Sequence, residues 1–445
     1  MFAQNLADRL AAKGVHYAWV VAGVTFLTML ATAGAMGSAG VLIGPLQAEF
    51  GWTKAEISSA LAVRMMLFGL LGPFAAAMMN SFGLRSIVAL ALGLIVTGIA
   101  GSFFMTSLWQ LVLLWGVIIG TGTGMTALVL GATVATRWFS TRRGLVMGMM
   151  TASNATGQLV FLPMFALVTE AYGWRMAMSV ILGVLALAFG MVALLLRDHP
   201  SDLGLPAYGD SEISRPAKPD RRLLSLLTTP LRVLAEMSRS ATFWVLFGTF
   251  FVCGLSTNGL IQTHWVSICG DFGILPVAAA GLLALIGVFD LVGTISSGWL
   301  SDRYDNRWLL FWFYALRGLS LVFLSLSGFG IYAISIFAVF YGVDWVATVP
   351  PTVKLTAERF GREKANLAFG WIFAGHQIGA ATAAYGAGAI RDDLLTYMPA
   401  LQVAGMMCVI AALAVLSLRK PGVAVGLGGK PSPAPKLRQI LGKMR

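Results

Sequence analysis

With 445 residues, 58% of them hydrophobic and 11% charged, and a mean hydropathy of +0.80, the chain is too apolar for a water-soluble domain, where charged residues run at about 25%. Its formal net charge of +12 is explained by position as membrane topology and contact with anionic headgroups, which leaves no case for nucleic-acid binding. Cys253, Cys269 and Cys408 are scattered over apolar runs, which argues against a disulfide framework or a metal cluster.

In chain order, residues 1–16 carry Asp8, Arg9 and Lys13 in a short amphipathic helix, and no small-residue cleavage site follows a short apolar core. The first apolar run is therefore expected to be retained. Runs long enough to cross ~30 Å of hydrocarbon, about 20 residues each, fall at 17–44, 55–79, 84–104, 109–136, 144–167 and 173–196. A hydrophilic linker, 197–240, follows with Pro200, Pro206, Pro216, Pro219 and Pro230, residues that break helices and mark a domain boundary. Within it, 221–237 has leucines at near-helical spacing, suited to lying on the membrane surface. Six further runs fall at 241–264, 277–300, 308–328, 330–353, 365–389 and 395–418, before a basic, proline-rich tail, 419–445. The expected fold is an all-α membrane protein of twelve transmembrane helices in two pseudo-symmetric six-helix bundles, 17–196 and 241–418.

The two halves match at an offset of 222 residues. Glu49-Phe50-Gly51 recurs as Asp271-Phe272-Gly273, Asn80 falls on Asp302, Arg85 on Arg307, Arg137 on Arg359, Gly148 on Gly370 and Gly157 on Gly379. Parallel membrane repeats of this kind place a substrate site at their interface near the midplane, so the chain reads as a transporter. Of the 31 Lys and Arg, only Lys54, Arg175 and Arg391 fall on one side and only Arg64 and Arg317 within spans. The rest lie at the N-terminus, the even-to-odd loops, the linker and the tail, which makes that side cytoplasmic by the positive-inside rule.

Two loop pairs carry the sharpest local signal. After the eighth span the chain reads Gly298-Trp-Leu300-Ser-Asp302-Arg303-Tyr-Asp-Asn-Arg307, and its first-half twin is Asn80-Ser-Phe-Gly83-Leu-Arg85, with amide in place of acid. A carboxylate at a helix end followed by arginines is suited to a clasp that breaks and re-forms as the protein changes state. The second pair is Arg137-Trp-Phe-Ser-Thr-Arg142-Arg143-Gly144 with Glu358-Arg359-Phe-Gly-Arg362-Glu-Lys364, for which positive-inside charge and gating are both open readings. Asp302, Arg303, Arg307, Asn80, Arg85 and Arg137 are the gating candidates.

The G-x-L-x-D-R motif with its later arginine, the twelve spans and the half-repeat resemble the major facilitator superfamily over residues 15–418. The stretch from Arg137 to Gly144 and the segment Pro200-Ser-Asp202-Leu-Gly204-Leu-Pro206 look like its bacterial oxalate/formate and monocarboxylate branch. The resemblance implies transport of small organic anions with protons or by exchange, spans 1, 2, 4, 5, 7, 8, 10 and 11 around a central cavity, and spans 3, 6, 9 and 12 outside it. It also exposes a departure. Monocarboxylate relatives carry an arginine four residues after the span 8 acid, whereas Asp290 is followed there by Thr294.

Ionisable residues inside spans are costly and are functional candidates by default. Arg64, Asp290, Asp344, Arg317 and His376 all fall near mid-span. Arg64 is either a carboxylate anchor, through two parallel hydrogen bonds, or an internal partner of an acid. Asp290, Asp344 and His376 are the proton-coupling candidates, and Arg317 reads as a structural partner. Asn154, Gln158, Asn258, His376 and Gln377 complete the substrate-binding candidates with Arg64, although interhelical hydrogen bonding explains the amides equally well. Glycines 116, 120 and 124 on span 4 and 375, 379 and 386 on span 11 permit close crossings, and Pro350-Pro351 suggests a hinge in span 10.

No phosphate loop, metal-ligand spacing or nucleophile elbow is present. The chain is therefore expected to be no enzyme, to need no cofactor and to work as a monomer in the bacterial inner membrane with both termini cytoplasmic. Its expected partners are a small-molecule substrate, a coupling proton and membrane lipids. The leading function is transport of a small, monocarboxylate-like organic anion. The alternatives are proton-coupled efflux of an amphipathic compound and a transporter-like sensor that moves nothing.

Overall fold

The computed structural model describes residues 2–126, 128–213 and 223–418. The basic tail and part of the linker lie outside them. The described residues are almost entirely helical, and their one β-type contact is an isolated bridge between Phe139 and Tyr208.

A helix at Phe2–Ala11 precedes the first bundle. Span 1 runs Ala18–Gly37 and continues beyond Ser38 as Ala39–Phe50. Spans 2 to 6 are Lys54–Phe82, Leu84–Ser102, Leu108–Trp138, Arg143–Tyr172 and Trp174–Leu195. A surface helix, Leu223–Met237, leads to the second bundle. Spans 7 to 12 are Ala241–Asp271, Pro276–Ser301, Asn306–Leu326, Ile331–Phe360, Arg362–Leu394 and Met398–Leu416. Ten helices among the described residues are long and apolar enough to cross a membrane. Spans 5 and 11, 30 and 33 residues long, supply the remaining rods.

Several helices outrun their apolar stretch because capping chemistry, rather than hydropathy, sets their ends. Span 2 starts in a capping box, where the Thr53 hydroxyl accepts from the Glu56 amide at 3.2 Å and the Glu56 carboxylate accepts from the Thr53 amide at 2.8 Å. Its C-terminal stop is Gly83, at φ 91°, a conformation open mainly to glycine.

The bundles meet through span 2 against span 11 and span 5 against span 8. Under the repeat, spans 2 and 8 are equivalent, as are 5 and 11, so the two contacts are related by the internal two-fold. Spans 7 and 11 cross with Gly254 against the His376 carbonyl and Gly379 against the Phe251 carbonyl, where any Cβ would collide with backbone. Such small-residue crossings supply the van der Waals packing that replaces the hydrophobic drive in lipid. Leu90, Leu187, Leu319 and Ile410, on spans 3, 6, 9 and 12, are exposed outward, as the resemblance leads one to expect of lipid-facing helices.

Candidate polar site at the break in span 10

Span 10 is helical over Ile331–Asp344 and again over Val349–Phe360, with turns at 345–348. Pro350 and Pro351 have no N–H to give to the carbonyls four residues back, so Val346 and Ala347 lose their helical donors. Side chains from neighbouring spans take over some of the freed backbone groups. Ser297 of span 8 donates to the Ala347 carbonyl at 2.5 Å. Asp290, one helical face along on span 8, accepts from the Val346 amide at 2.9 Å and from the Thr294 hydroxyl at 2.9 Å. Arg317 of span 9 donates to the carbonyls of Asp344 and Trp345 at 2.5 and 3.1 Å. Unwound backbone inside a membrane bundle is tolerated where it is enclosed in this way.

The guanidinium of Arg317 also donates to the Asp344 carboxylate at 2.7 Å and to the Cys253 thiol sulfur at 2.9 Å. Arg317 is thus the partner of an acid, and the pair is fully buried. The second oxygen of Asp344 is buried without a donor. Sequence reasoning missed Ser297, for which Pro350-Pro351 was the signal, since a proline pair in a span demands outside donors, and Cys253, whose sulfur accepts from Arg317 and had no such signal.

His376 lies buried between the rings of Phe250 and Phe373, the latter parallel to it at 5.5 Å. Gln377 approaches its Nδ1 at 3.3 Å and packs against Gly69 of span 2, which places this amide at the interface between bundles. The side-chain amide oxygen of Gln377, Oε1, is buried without a partner. Asn258 is half-buried in the π-wound stretch Leu255–Gln262 of span 7. The side chains of Asn154 and Gln158 lie outside the described set.

Arg64 is brought to neither acid. Its guanidinium turns into the first bundle, donates to the Met36 carbonyl at 3.1 Å and lines a small cavity with residues of spans 1, 3, 4 and 6. Gly120 positions it, because a Cβ there would sit 2.9 Å from the Arg64 Cα.

At the face where the described chain begins and ends, the gating candidates form one cluster in each bundle. Arg137 donates to Asn80 at 2.6 Å and to the Met79 carbonyl at 3.1 Å, and the Arg85 amide donates to Asp198 at 2.7 Å. In the second bundle Asp302 pairs with Lys354 at 3.1 Å, Arg303 stacks on Trp299 at 4.1 Å, and Arg307 is held by Asp305. Arg85 and Arg307 are repeat partners with one job. Arg85 donates to the Ala193 carbonyl at the end of span 6 and Arg307 to the Leu418 carbonyl after span 12. In the adjoining loop, burial and the charge of Arg137 hold the His199 imidazole below its ordinary pKa, against the opposing pull of Asp202 and Asp198.

The opposite face joins the two bundles. Asp271 of span 7 accepts two hydrogen bonds from Arg391 of span 11, at 2.7 and 2.9 Å, and meets Lys54 of span 2 at 3.8 Å. Asp392 accepts from the Ala55 amide at 2.8 Å. In the sequence Lys54 and Arg391 stand out only as rare charges on that side.

A family profile described as Major Facilitator Superfamily matches residues 24–347 and 264–445. The chain belongs to the major facilitator superfamily. Members of this superfamily are membrane transporters and not enzymes, and this member is a multi-pass membrane protein. It is 24% identical over 385 residues to an uncharacterized MFS-type transporter, YcxA, of Bacillus subtilis, covering 85% of this chain and 90% of that one. It is 26% identical over 407 residues to monocarboxylate transporter 13 of Rattus norvegicus, covering 90% and 89%. The fold is shared with a bacterial homolog of the human lysosomal transporter Spinster, solved inward-facing and unoccupied, at TM-score 0.67 and 15% identity over 90% of this chain and 95% of that one.

Proposed function

We propose that this superfamily member is a secondary active transporter of a small, monocarboxylate-like organic anion, working by alternating access with proton coupling or by exchange. The observation that carries the proposal is the break in span 10, on which Asp290, Arg317 and Asp344 converge. Discontinuous helices of this kind characterise substrate and ion sites in secondary transporters. Similarity to monocarboxylate transporter 13 supports the substrate class.

Asp290 is the proposed proton carrier. As a carboxylate it holds the Val346 amide in a charge-assisted hydrogen bond, and protonation weakens that bond. Proton loading thereby loosens the attachment of span 8 to the break. Asp344 and His376 are secondary carriers, since the Asp344 carboxylate is already engaged by Arg317 and His376 is enclosed between the rings of Phe250 and Phe373. Gln377 and Asn258 are the proposed polar groups for the substrate, and Asn154 and Gln158 stay candidates on the sequence alone. Arg64 supplies positive charge to the first bundle, and direct contact with a carboxylate requires it to turn out of that bundle.

The bundles are joined at the face bearing Lys54 and Asp271, while the Asp302 and Arg137 clusters each stay within one bundle. This supports a state closed at the first face, with Asp302, Arg303, Arg307, Asn80, Arg85 and Arg137 gating the other. The proposed setting is the bacterial inner membrane, both termini cytoplasmic, as a monomer.

Purified protein in proteoliposomes decides the matter. An imposed inward proton gradient should drive accumulation of labelled lactate, pyruvate, formate or oxalate, and a protonophore should abolish it. A second reading, proton-coupled efflux of an amphipathic compound, is favoured by Thr294, whose hydroxyl bonds to Asp290 where monocarboxylate relatives are expected to carry arginine. Gradient-driven extrusion of hydrophobic cations with no carboxylate uptake would establish it instead.

A further inference from the structure

We propose that the first bundle holds a small inorganic anion of the halide class between Arg64 and Trp115, in a small cavity within that bundle and away from the break in span 10. Arg64 is 3% exposed, and among the described residues it forms no ion pair. Its Nη2 donates to the Met36 carbonyl, while its Nε is buried with no acceptor. Trp115, 2% exposed, lies on the π-wound stretch Val112–Ile119 of span 4, and its indole N–H is likewise buried with no acceptor. Both side chains line one cavity.

The chemistry of that cavity selects its occupant. Most of the remaining wall is apolar, with Leu42, Ile119 and Ile181 among its members. Ser38, the one hydroxyl in the lining, donates to its own helix at the Ala35 carbonyl. The site therefore offers two unmatched donors and a positive charge, with little to accept a proton in return. A water molecule would satisfy the donors but leave its own hydrogens short of acceptors and the guanidinium uncompensated. A monatomic anion is acceptor-only and removes the charge imbalance, which is strongly destabilising in a low-dielectric bundle. The cavity has ≈ 10 Å³ of room for the centre of a water-sized particle, about one such particle, so an organic carboxylate is excluded.

The inference does not rest on anion transport and is tested without substrate. Detergent-purified protein, prepared in gluconate, is titrated with chloride or bromide at constant ionic strength while its melting temperature is followed. Wild type should show saturable stabilisation. Trp115→Phe keeps the ring bulk and removes only the N–H, and its apparent halide affinity should fall about tenfold, as expected for loss of a hydrogen bond to a charged acceptor. Arg64→Gln should lose the effect. In crystals grown with bromide, an anomalous peak should lie between Arg64 and Trp115. Stabilisation that is independent of the anion, or identical in wild type and Trp115→Phe, overturns the proposal, and Trp115→Phe decides it even where Arg64→Gln fails to fold.

Discussion

Arg317 holds several obligations at once: the Asp344 carboxylate, the backbone carbonyls at the break in span 10 and the Cys253 sulfur. Removing one partner of a buried pair leaves the other charge uncompensated, so Arg317→Leu should cost about 3–5 kcal/mol of stability. Adding Asp344→Leu should recover part of that loss, with the freed carbonyls accounting for the remainder. Unfolding of the single and double variants measures the coupling, and a double variant no more stable than the single would mean that the ion pair contributes little. Asp290 is expected to behave differently, because its contacts are a backbone amide and a hydroxyl rather than a cation. Asp290→Asn keeps an acceptor for Val346 but cannot load a proton. It should abolish accumulation driven by a pH gradient while leaving substrate exchange running, and undiminished accumulation would remove Asp290 as the carrier.

Among the elements, span 10 has the least conventional backbone. Replacing Pro350 and Pro351 with alanine restores two amide donors, one of which then competes with Ser297 for the Ala347 carbonyl. Because the Ala347 carbonyl already has a donor, the net gain is one hydrogen bond, and at about 1 kcal/mol the shift is roughly fivefold toward a continuous helix. Turnover should fall by a similar factor while the melting temperature holds or rises, and a double-alanine protein with wild-type turnover would separate the break from the transport cycle. The break was legible in the sequence because a proline pair is poorly tolerated in a helix interior. The donors that clamp it were not, because Ser297 and Arg317 reach it only through the packing of spans 8 and 9.

For the whole molecule, Lys54 with Asp271 and the Ala55 amide with Asp392 are polar contacts that cross between the bundles, and Arg391 holds Asp271 from within the second bundle. Asp271→Asn weakens contacts to two cations together, and combined with Asp392→Ala it should shift the population toward a form open at that face. Cysteine-labelling rates for residues placed beside Gly388 and Gly40, where the halves touch, should rise in the double variant, and unchanged labelling would show that helix packing alone keeps the face closed. At the other face, the imidazoles of His16 and His199 are held below their ordinary pKa, chiefly by burial. Protonation is therefore disfavoured in the folded state, so stability should fall as pH drops from about 6.5 through the lowered values. Replacing both histidines with glutamine should flatten that part of the pH profile of melting.

Hydropathy, the 222-residue repeat and the loop motifs determined the superfamily and the two-bundle fold, because lipid demands long apolar helices with satisfied backbones and repeats leave visible partners such as Arg85 and Arg307. Those signals are local in the chain. Pairing is not. Four spans carried Arg64, Asp290, Arg317 and Asp344 with charges summing to zero, a balance that left complete internal pairing and an unpaired substrate anchor equally readable. Only the tertiary structure assigned Arg317 to Asp344, Asp290 to the broken helix and Arg64 to a cavity of its own. The physical reason is rotational: a side chain's depth in the membrane follows from its position in a span, but the neighbour it meets depends on how each helix is turned about its axis, and that is set by crossings such as Gly120 on Arg64 and Gly379 on Phe251.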